Sequence, residues 1–369
     1  MDVIYDTVLK IKDSVDVYIS TGEPDICTIQ FYHINTREKL SIRIAPEFGE
    51  VLAALDGVSP IAELMSSLGF VMDHGEFEEI IEYLLARGIL EKPSFTDPDS
   101  RYSRQINFLS DWISGIPAHE AHKQIVASDV VVFGVGAIGS SIAIQLARAG
   151  VSRFILVDNK LLSLQSSERH PYFSTEAIGD FKVDALKRHL EKINCDINVT
   201  CIREKLLPHT ELSRLVDRAS VVVNTADEPY IGHTSIKLGR YLWGKKIPLY
   251  VAGGFDAHLM STGDFYVPGE SVCVDCCSGF FSAALVDWKP SYKIHKTNES
   301  KTHVVGGSGG TFSMSLFSAS YAAIQILNYI AGGDAYKSRL SRRGEYIVGK
   351  GEIEWVSIKG RGDCSVCGK

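Results

Sequence analysis

Val130 to Asp158 reads VVVFGVGAIGSSIAIQLARAGVSRFILVD, and no other stretch limits the fold of this chain so tightly. An apolar run predicts a buried strand, and Gly134, Gly136 and Gly139 then spell G-x-G-x-x-G at the entry to a helix. A second apolar run ends on Asp158, at about the distance where an acid meets a ribose hydroxyl. This is a nucleotide-binding strand–turn–helix–strand unit. It suits a nicotinamide dinucleotide and ATP equally, so the rest of the chain must choose.

Beyond it, NVTCIR, SVVVNTAD and IPLYVAGG read as further strands separated by helical stretches. Such alternation predicts an α/β fold with a Rossmann-like, doubly wound sheet. This domain is expected over residues 96–369.

Residues 1–95 predict a different unit. VDVYIS, CTIQFYHI and KLSIRI are strands, with the turns TGEPD and NTRE between them. Pro46 opens a helix that Gly57 follows, and Ser59, Pro60 and Gly69 punctuate a second in the same way. Phe77, Ile80, Ile81, Leu84 and Leu85 form the apolar stripe of a third, which stops at Gly88. The set is winged-helix-like. DNA is disfavoured as a partner, because Glu76, Glu78, Glu79 and Glu82 outnumber Arg87 on the third helix, and a phosphate backbone would repel it. EKPSFTDPDS, residues 91–100, reads as a linker.

Composition adds exclusions. A net charge of −7 argues against a general nucleic-acid binder. No segment approaches the roughly 18 consecutive apolar residues of a membrane helix. The start, MDVIYDTVLKIKDSVDVY, lacks the basic-then-apolar order of a signal peptide. A cytoplasmic protein is expected, in which disulfides are rare and grouped cysteines point to metal or catalysis. Cys273-x-x-Cys276 and Cys364-x-x-Cys367 are such groups. Together they offer four thiolates and leave no open coordination position, as in a structural, tetrahedral Zn²⁺ site. Cys277 directly follows a ligand as a bystander, and Cys27, Cys195 and Cys201 are spaced like ordinary core residues.

In chain order, RYSRQ, GVGAIG, ILVD, SSERHPYFSTEAIGDFK, NTAD and the two knuckles resemble the ThiF/MoeB/E1-like adenylating superfamily over residues 101–369. The first unit resembles the precursor-recognition modules of peptide-modifying enzymes, which pair a leader peptide against a strand edge. With both units, the chain looks like the E1-like enzymes of microcin C and pantocin A biosynthesis, the pantocin A type being preferred. The resemblance implies ATP with Mg²⁺, cradled by Gly134, Gly136, Ala137 and Gly139. It implies Asp158 on the ribose, Ser166, Arg169 and Lys182 around the phosphates, and Asp227 on the Mg²⁺. Arg104 matches the family arginine that reaches the triphosphate of the opposite subunit, so a homodimer is expected. Arg104, Arg169, Lys182 and Asp227 are thus the expected catalytic residues. The chemistry points the same way: adenylation needs cations on a triphosphate and an acid on a metal, and hydride transfer needs neither.

There are departures from the family pattern. Ser166 and Ser167 stand where an Asn is usual before the loop arginine, and His170 stands where Gln is usual after it. The family's arginine and asparagine downstream of the metal acid have no match in EPYIGHTSIKLGRYLWGKK. The phosphate clamp is therefore altered, and transfer of phosphate instead of AMP stays open. In VDWKPSYKIHKTNESKTHVVGGSGG, Lys289, Lys293, Lys296 and Lys301 outnumber Asp287 and Glu299, with Gly306, Gly307, Gly309 and Gly310 as a hinge. The resemblance places a crossover loop here, whose charge suits an acidic peptide. The expected function is ATP-dependent activation of a carboxyl or amide group in a ribosomally made precursor peptide, leading to ring closure or crosslinking. The alternatives are activation of a sulfur-carrier or ubiquitin-like protein, a dehydrogenase, and a non-catalytic peptide scaffold.

Overall fold

Alternating apolar and polar residues over residues 15–44 give an antiparallel sheet with one buried face. The structure, a computed structural model, describes residues 4–23, 25–69, 74–93, 100–113, 115–228, 230–252, 259–284 and 310–368. The chain packs as two units, residues 1–111 with 117–119, and residues 112–116 with 120–369.

The first unit runs β1 (Val8–Ile11), β2 (Val15–Glu23), β3 (Ile26–His33), β4 (Lys39–Ile44), α1 (Pro46–Ala54), β5 (Asp56–Pro60), α2 (Ile61–Leu68), α3 (His74–Ala86), β6 (Leu90–Glu91) and α4 (Ser103–Trp112). One sheet has the order β2-β3-β4 and another β5-β1-β6. Cys27, Ile29 and Phe31 of β3 meet Phe77, Ile81 and Leu84 of α3 in the core. The expected stripe on the third helix therefore faces inward, and Glu76, Glu79 and Glu82 are exposed.

Gly57 does not end the first helix. Helix α1 stops at Ala54, and Asp56–Pro60 pairs antiparallel with β1. The Asp56 carboxylate accepts the backbone N–H groups of Val58 and Ser59, each at 2.8 Å. That local turn competes with helix, and Gly57 takes φ +73° within it. Helix α4, expected with the second domain, packs with the first unit: Lys12 donates to the Ser110 carbonyl (3.0 Å) and pairs with Asp111. The expected linker lies largely outside the described residues.

The second unit contains α5 (Ala118–Val126), β7 (Asp129–Phe133), α6 (Ala137–Arg148), β8 (Arg153–Val157), α7 (Lys182–Ile193), β9 (Asn198–Ile202), α8 (Ser213–Val216), β10 (Val221–Asn224), α9 (Ile231–Lys245) and β11 (Leu249–Val251). It continues with β12 (Leu259–Ser261), β13 (Asp264–Tyr266), α10 (Val274–Ala284), α11 (Phe312–Ile330), β14 (Arg342–Ile347) and β15 (Glu352–Ser357). Its main sheet has the order β13-β11-β10-β7-β8-β9, parallel except for β13. This is the expected doubly wound sheet. Val130–Phe133 and Val221–Asn224 are almost fully buried, as a strand covered on both faces requires. The chain runs outward from β7 through β8 to β9, then returns to place β10 on the other side of β7. That reversal opens a crevice at the carboxyl ends of β7 and β10. A smaller sheet, β12-β14-β15, lies near the C-terminus. Among the described residues, no helix is long and apolar enough to cross a membrane.

Helix α6 closes tightly on the turn that precedes it. A Cβ on Gly139 would lie 2.0 Å from the Gly134 carbonyl oxygen. Gly139→Ala is expected to cost about 1–3 kcal/mol of stability through this overlap. Gly244→Ala, in α9 where a Cβ meets nothing within 4 Å, is expected to gain up to about 1 kcal/mol. Denaturant unfolding of the two variants checks the opposite signs.

Candidate functional site

The chain leaves β7 at Phe133 and turns at once. Gly134 has φ +81°, and a Cβ on it would sit 2.8 Å from the Ala226 nitrogen beyond β10. Only glycine fits both demands. The turn is then held by side chains. Thr225 Oγ1 donates to the Gly134 carbonyl (2.7 Å), Tyr172 Oη donates to the Val135 carbonyl (2.8 Å), and Asp158 accepts the Val135 N–H (2.9 Å). Gly136, the residue before α6, has open space where a Cβ would point, its one near neighbour being His170 Nε2 at 4.0 Å. No side chain caps this helix, so its first N–H groups face the crevice, where an anion would be stabilised.

The crevice forms a cleft of about 560 Å³. Gly134, Gly136, Ala137, Asp158, Arg169, Lys182 and Asp227 line it, together with His170 and Thr225. Lys182 opens α7, and Asp227 follows β10 on the loop that Asn224 braces. Asn224, fully buried, donates to Thr234 Oγ1 and Ser235 Oγ (3.0 Å each) and accepts the Ala226 N–H (3.1 Å). Burial lowers the pKa of Lys182, against the pull of Asp158. Lys182, Arg169 and Asp227 make no ion pair with any described residue. Glu228 behaves differently. It takes Lys160 at 2.6 Å and Lys205 at 2.8 Å, and these hydrogen bonds pull its carboxyl down to about 2.

The expected residues thus divide. Gly134, Gly136, Ala137, Asp158, Arg169, Lys182 and Asp227 come together at one cleft. Gly139 packs inside the turn instead. Ser166 is buried, and its hydroxyl accepts the Ser163 N–H (3.3 Å) in a reciprocal cap of a short 3₁₀ turn. Asp158 spends both oxygens on backbone, Oδ2 on Val135 and Oδ1 on Lys160 N–H (2.8 Å), so it shapes the loop as well as bordering the cleft. Arg104 is exposed on α4 in the first unit. The loop of Lys289, Lys293, Lys296 and Lys301 lies outside the described residues. Tyr172, Thr225 and Asn224 lie inside motifs legible in the sequence, but nothing in a local pattern says which distant group a hydroxyl or an amide will reach.

The four knuckle cysteines converge. Their Sγ atoms all lie within 4.8 Å of one another, with Cys273–Cys364 and Cys276–Cys367 each at 3.5 Å. Thiolates on a tetrahedral zinc, at a Zn–S distance of about 2.3 Å, stand about 3.8 Å apart, so these thiols fit such an ion. The Arg361 N–H points at Cys276 Sγ (3.4 Å), as a supporting donor to a thiolate would.

Comparison with known proteins adds lineage. The model of the ThiF family matches residues 102–343. The sulfur carrier protein ThiS adenylyltransferase of Escherichia coli is 34% identical over 178 residues, covering 48% of this chain and 66% of that protein. The vegetative HesA protein of Trichormus variabilis is 30% identical over 176 residues, covering 48% and 62%. The chain thus spans slightly under two thirds of these relatives' length. The crystal structure of Escherichia coli MccB superposes with a TM-score of 0.74 at 18% identity, over 98% of this chain and 97% of that one, which shows a shared fold. MccB, a microcin C7 biosynthetic enzyme, has been solved with ATP and in complex with N-formylated MccA. With the family model spanning well over half of its length, and a glycine turn opening the cleft at the sheet's reversal, the chain belongs to the ThiF family.

Proposed function

We propose that the protein uses ATP to activate a carboxyl or amide oxygen in the core of a ribosomally made precursor peptide, as a step toward ring closure or crosslinking. The observation that carries this is the cleft itself. It sets two cations, Lys182 and Arg169, and an acid, Asp227, none of them ion-paired among the described residues, around an uncapped helix start. That arrangement answers a metal-bound triphosphate and has no use in hydride transfer. Lys182 and Arg169 would neutralise phosphate charge, and Asp227 would hold Mg²⁺. A substrate oxygen attacks the α-phosphorus, the bond to pyrophosphate breaks, and an intramolecular nucleophile then displaces AMP. Attack at the γ-phosphorus, with ADP leaving, is the variant that the altered clamp keeps open.

The choice of a peptide rests on the N-terminal unit and on the likeness to MccB, itself solved with N-formylated MccA. We assign residues 1–95, which form most of the first unit, to the leader and the ATP-binding role to the rest of the chain, α4 packing with the first unit all the same, and we keep the pantocin A type as the preferred subclass. We further propose cytoplasmic action, a homodimer in which Arg104 serves the partner's cleft, and one structural Zn²⁺ per chain on Cys273, Cys276, Cys364 and Cys367. The second reading is activation of a sulfur-carrier C-terminus, which the ThiS adenylyltransferase relative favours. It gives the N-terminal unit no task.

Incubation with ATP and the short peptides encoded beside the gene is expected to release AMP or ADP and to yield a peptide lighter by one water. Lys182→Ala and Asp227→Ala should each lose about 10²–10³-fold in turnover while melting normally. Peptide-independent ATP use that responds only to a protein ending in Gly-Gly would instead establish the second reading. Mixing Arg104→Ala with Asp227→Ala under subunit exchange should restore about a quarter of wild-type activity, since half the dimers then hold one intact site. Confirmed exchange without recovery removes Arg104 from the partner's site. Cys364→Ser should abolish the single bound zinc seen by metal analysis and lower Tm by roughly 10 °C.

A further inference from the structure

His170 exposes only 8% of its surface and is held from one side. Its Nδ1 lies 3.0 Å from the Ser166 carbonyl oxygen. A carbonyl only accepts, so Nδ1 carries the proton. Nε2 is buried and has no hydrogen-bond partner among the described residues. It faces the cleft beside Gly136, at the start of α6. A buried polar atom left unpaired is destabilising, and this one points where an anion would sit.

The charged and titratable groups that face the ring come from several elements. They are Lys182 at the start of α7, Arg169 on the ring's own loop, Asp158 beyond β8, and Tyr172, whose ring stands edge-on at 5.6 Å. Burial first, then Lys182, push the imidazole down to about 4, with Arg169 adding to this and the Ser166 carbonyl and Asp158 opposing it. At neutral pH the free protein therefore presents a bare lone pair. Phosphate oxygens are also acceptors, so a neutral ring would repel the ligand that the cleft otherwise suits.

We propose that His170 takes up a proton from solvent when a polyphosphate enters the cleft, and donates Nε2–H to one of its non-bridging oxygens. This rests on the nucleotide reading of the cleft. The entering anion pairs with Lys182 and Arg169 and so cancels their repulsion of an imidazolium. It also brings negative charge beside Nε2. At contact distance in partly buried surroundings, such an attraction raises proton affinity roughly a thousandfold, enough to carry the ring from neutral to charged near pH 7. A glutamine at this position would donate at every pH. His170 donates only when protonated, so this chain ties nucleotide binding to pH. The sign follows: affinity rises as pH falls from about 8 to 6, by at most about tenfold per unit.

The test is calorimetric titration of the full-length protein with preformed Mg·ATP, in buffers of different ionisation enthalpy, at about pH 6.5 and 8.5. The wild type is expected to take up about three quarters of a proton more than His170→Gln at the lower pH, and almost none at the higher. Equal uptake by two proteins that both bind Mg·ATP overturns the proposal. Absence of binding by the wild type overturns the nucleotide reading itself. Should His170→Gln not fold, wild-type protein labelled at histidine Cε1 gives the answer by NMR. A ring moving from the neutral to the charged position on adding Mg·ATP supports the proposal, and no ring moving refutes it.

Discussion

The contact between the glycine turn and the exit of β10 is the constraint from which the site follows. Gly134 can approach the Ala226 nitrogen only without a Cβ and only with positive φ. The approach lets Thr225 bridge to the Gly134 carbonyl, so the phosphate-facing turn and the acid-bearing loop brace one another. Asn224 completes the brace from below by fastening the same loop to the first turn of α9. Asp227 is thereby carried to the cleft rim by a loop fastened through Asn224 and Thr225, while its own carboxylate forms no ion pair with any described residue. A buried network of this kind holds a site rigid only when every member is paired. Here Lys182, Arg169 and Asp227, which line the cleft, form no ion pair with any described residue.

What the sequence made legible follows from what is local. The strand, glycine turn, helix and acid between Val130 and Asp158 are spelled by neighbouring residues, and they fold as spelled. The stripe Phe77, Ile81 and Leu84 faces a core because helical periodicity is also local. Gly57 follows the first helix without capping it, because a helix stop and an aspartate turn compete there, and the Asp56 carboxylate settles the contest by accepting two N–H groups. The brace of Thr225, Tyr172 and Asn224 was illegible because its partners are set by the crossing of β7 and β10. The short strands β12, β14 and β15 went unseen too, their pairing partners being fixed only by the tertiary fold. His170 stood out as a departure from a family pattern, yet only the fold reveals which of its nitrogens is left without a partner.

The charges around the cleft are sorted by whether they are already spent. Lys160 and Lys205 are bound to Glu228, which holds them at the rim, whereas Lys182 and Arg169 form no ion pair among the described residues and differ in exposure. Arg169 is exposed and can follow a ligand, while Lys182 is half-buried at the start of α7 and cannot move far. Asp158 sits between these classes, since backbone N–H groups already engage both its oxygens. Each oxygen keeps further acceptor capacity, so a ribose hydroxyl can be added without breaking the turn. The resting site is thus a cleft of balanced charge, in which two cations are held in reserve and two are engaged.

Helix α9 links this cleft to the cysteine cluster. Its first turn holds Asn224 through Thr234 and Ser235. Farther along, Gly239 lets α10 come so close that a Cβ there would lie 2.4 Å from Val274 Cγ1, and Val274 directly follows Cys273. Leu238 and Leu242 of the same helix share a core with Cys273, Cys276 and Cys364. A metal on these thiols would therefore fix the start of α10, and through Gly239 the depth at which α9 lies on the sheet. The C-terminal knuckle contributes two of the four ligands, and Cys364, Val366 and Cys367 also pack on that core, so the ion would add to an apolar contact already made. In this packing a metal on the four cysteines would be more than a clamp on the second knuckle. It would set the position of the helix whose other end orients the acid-bearing loop.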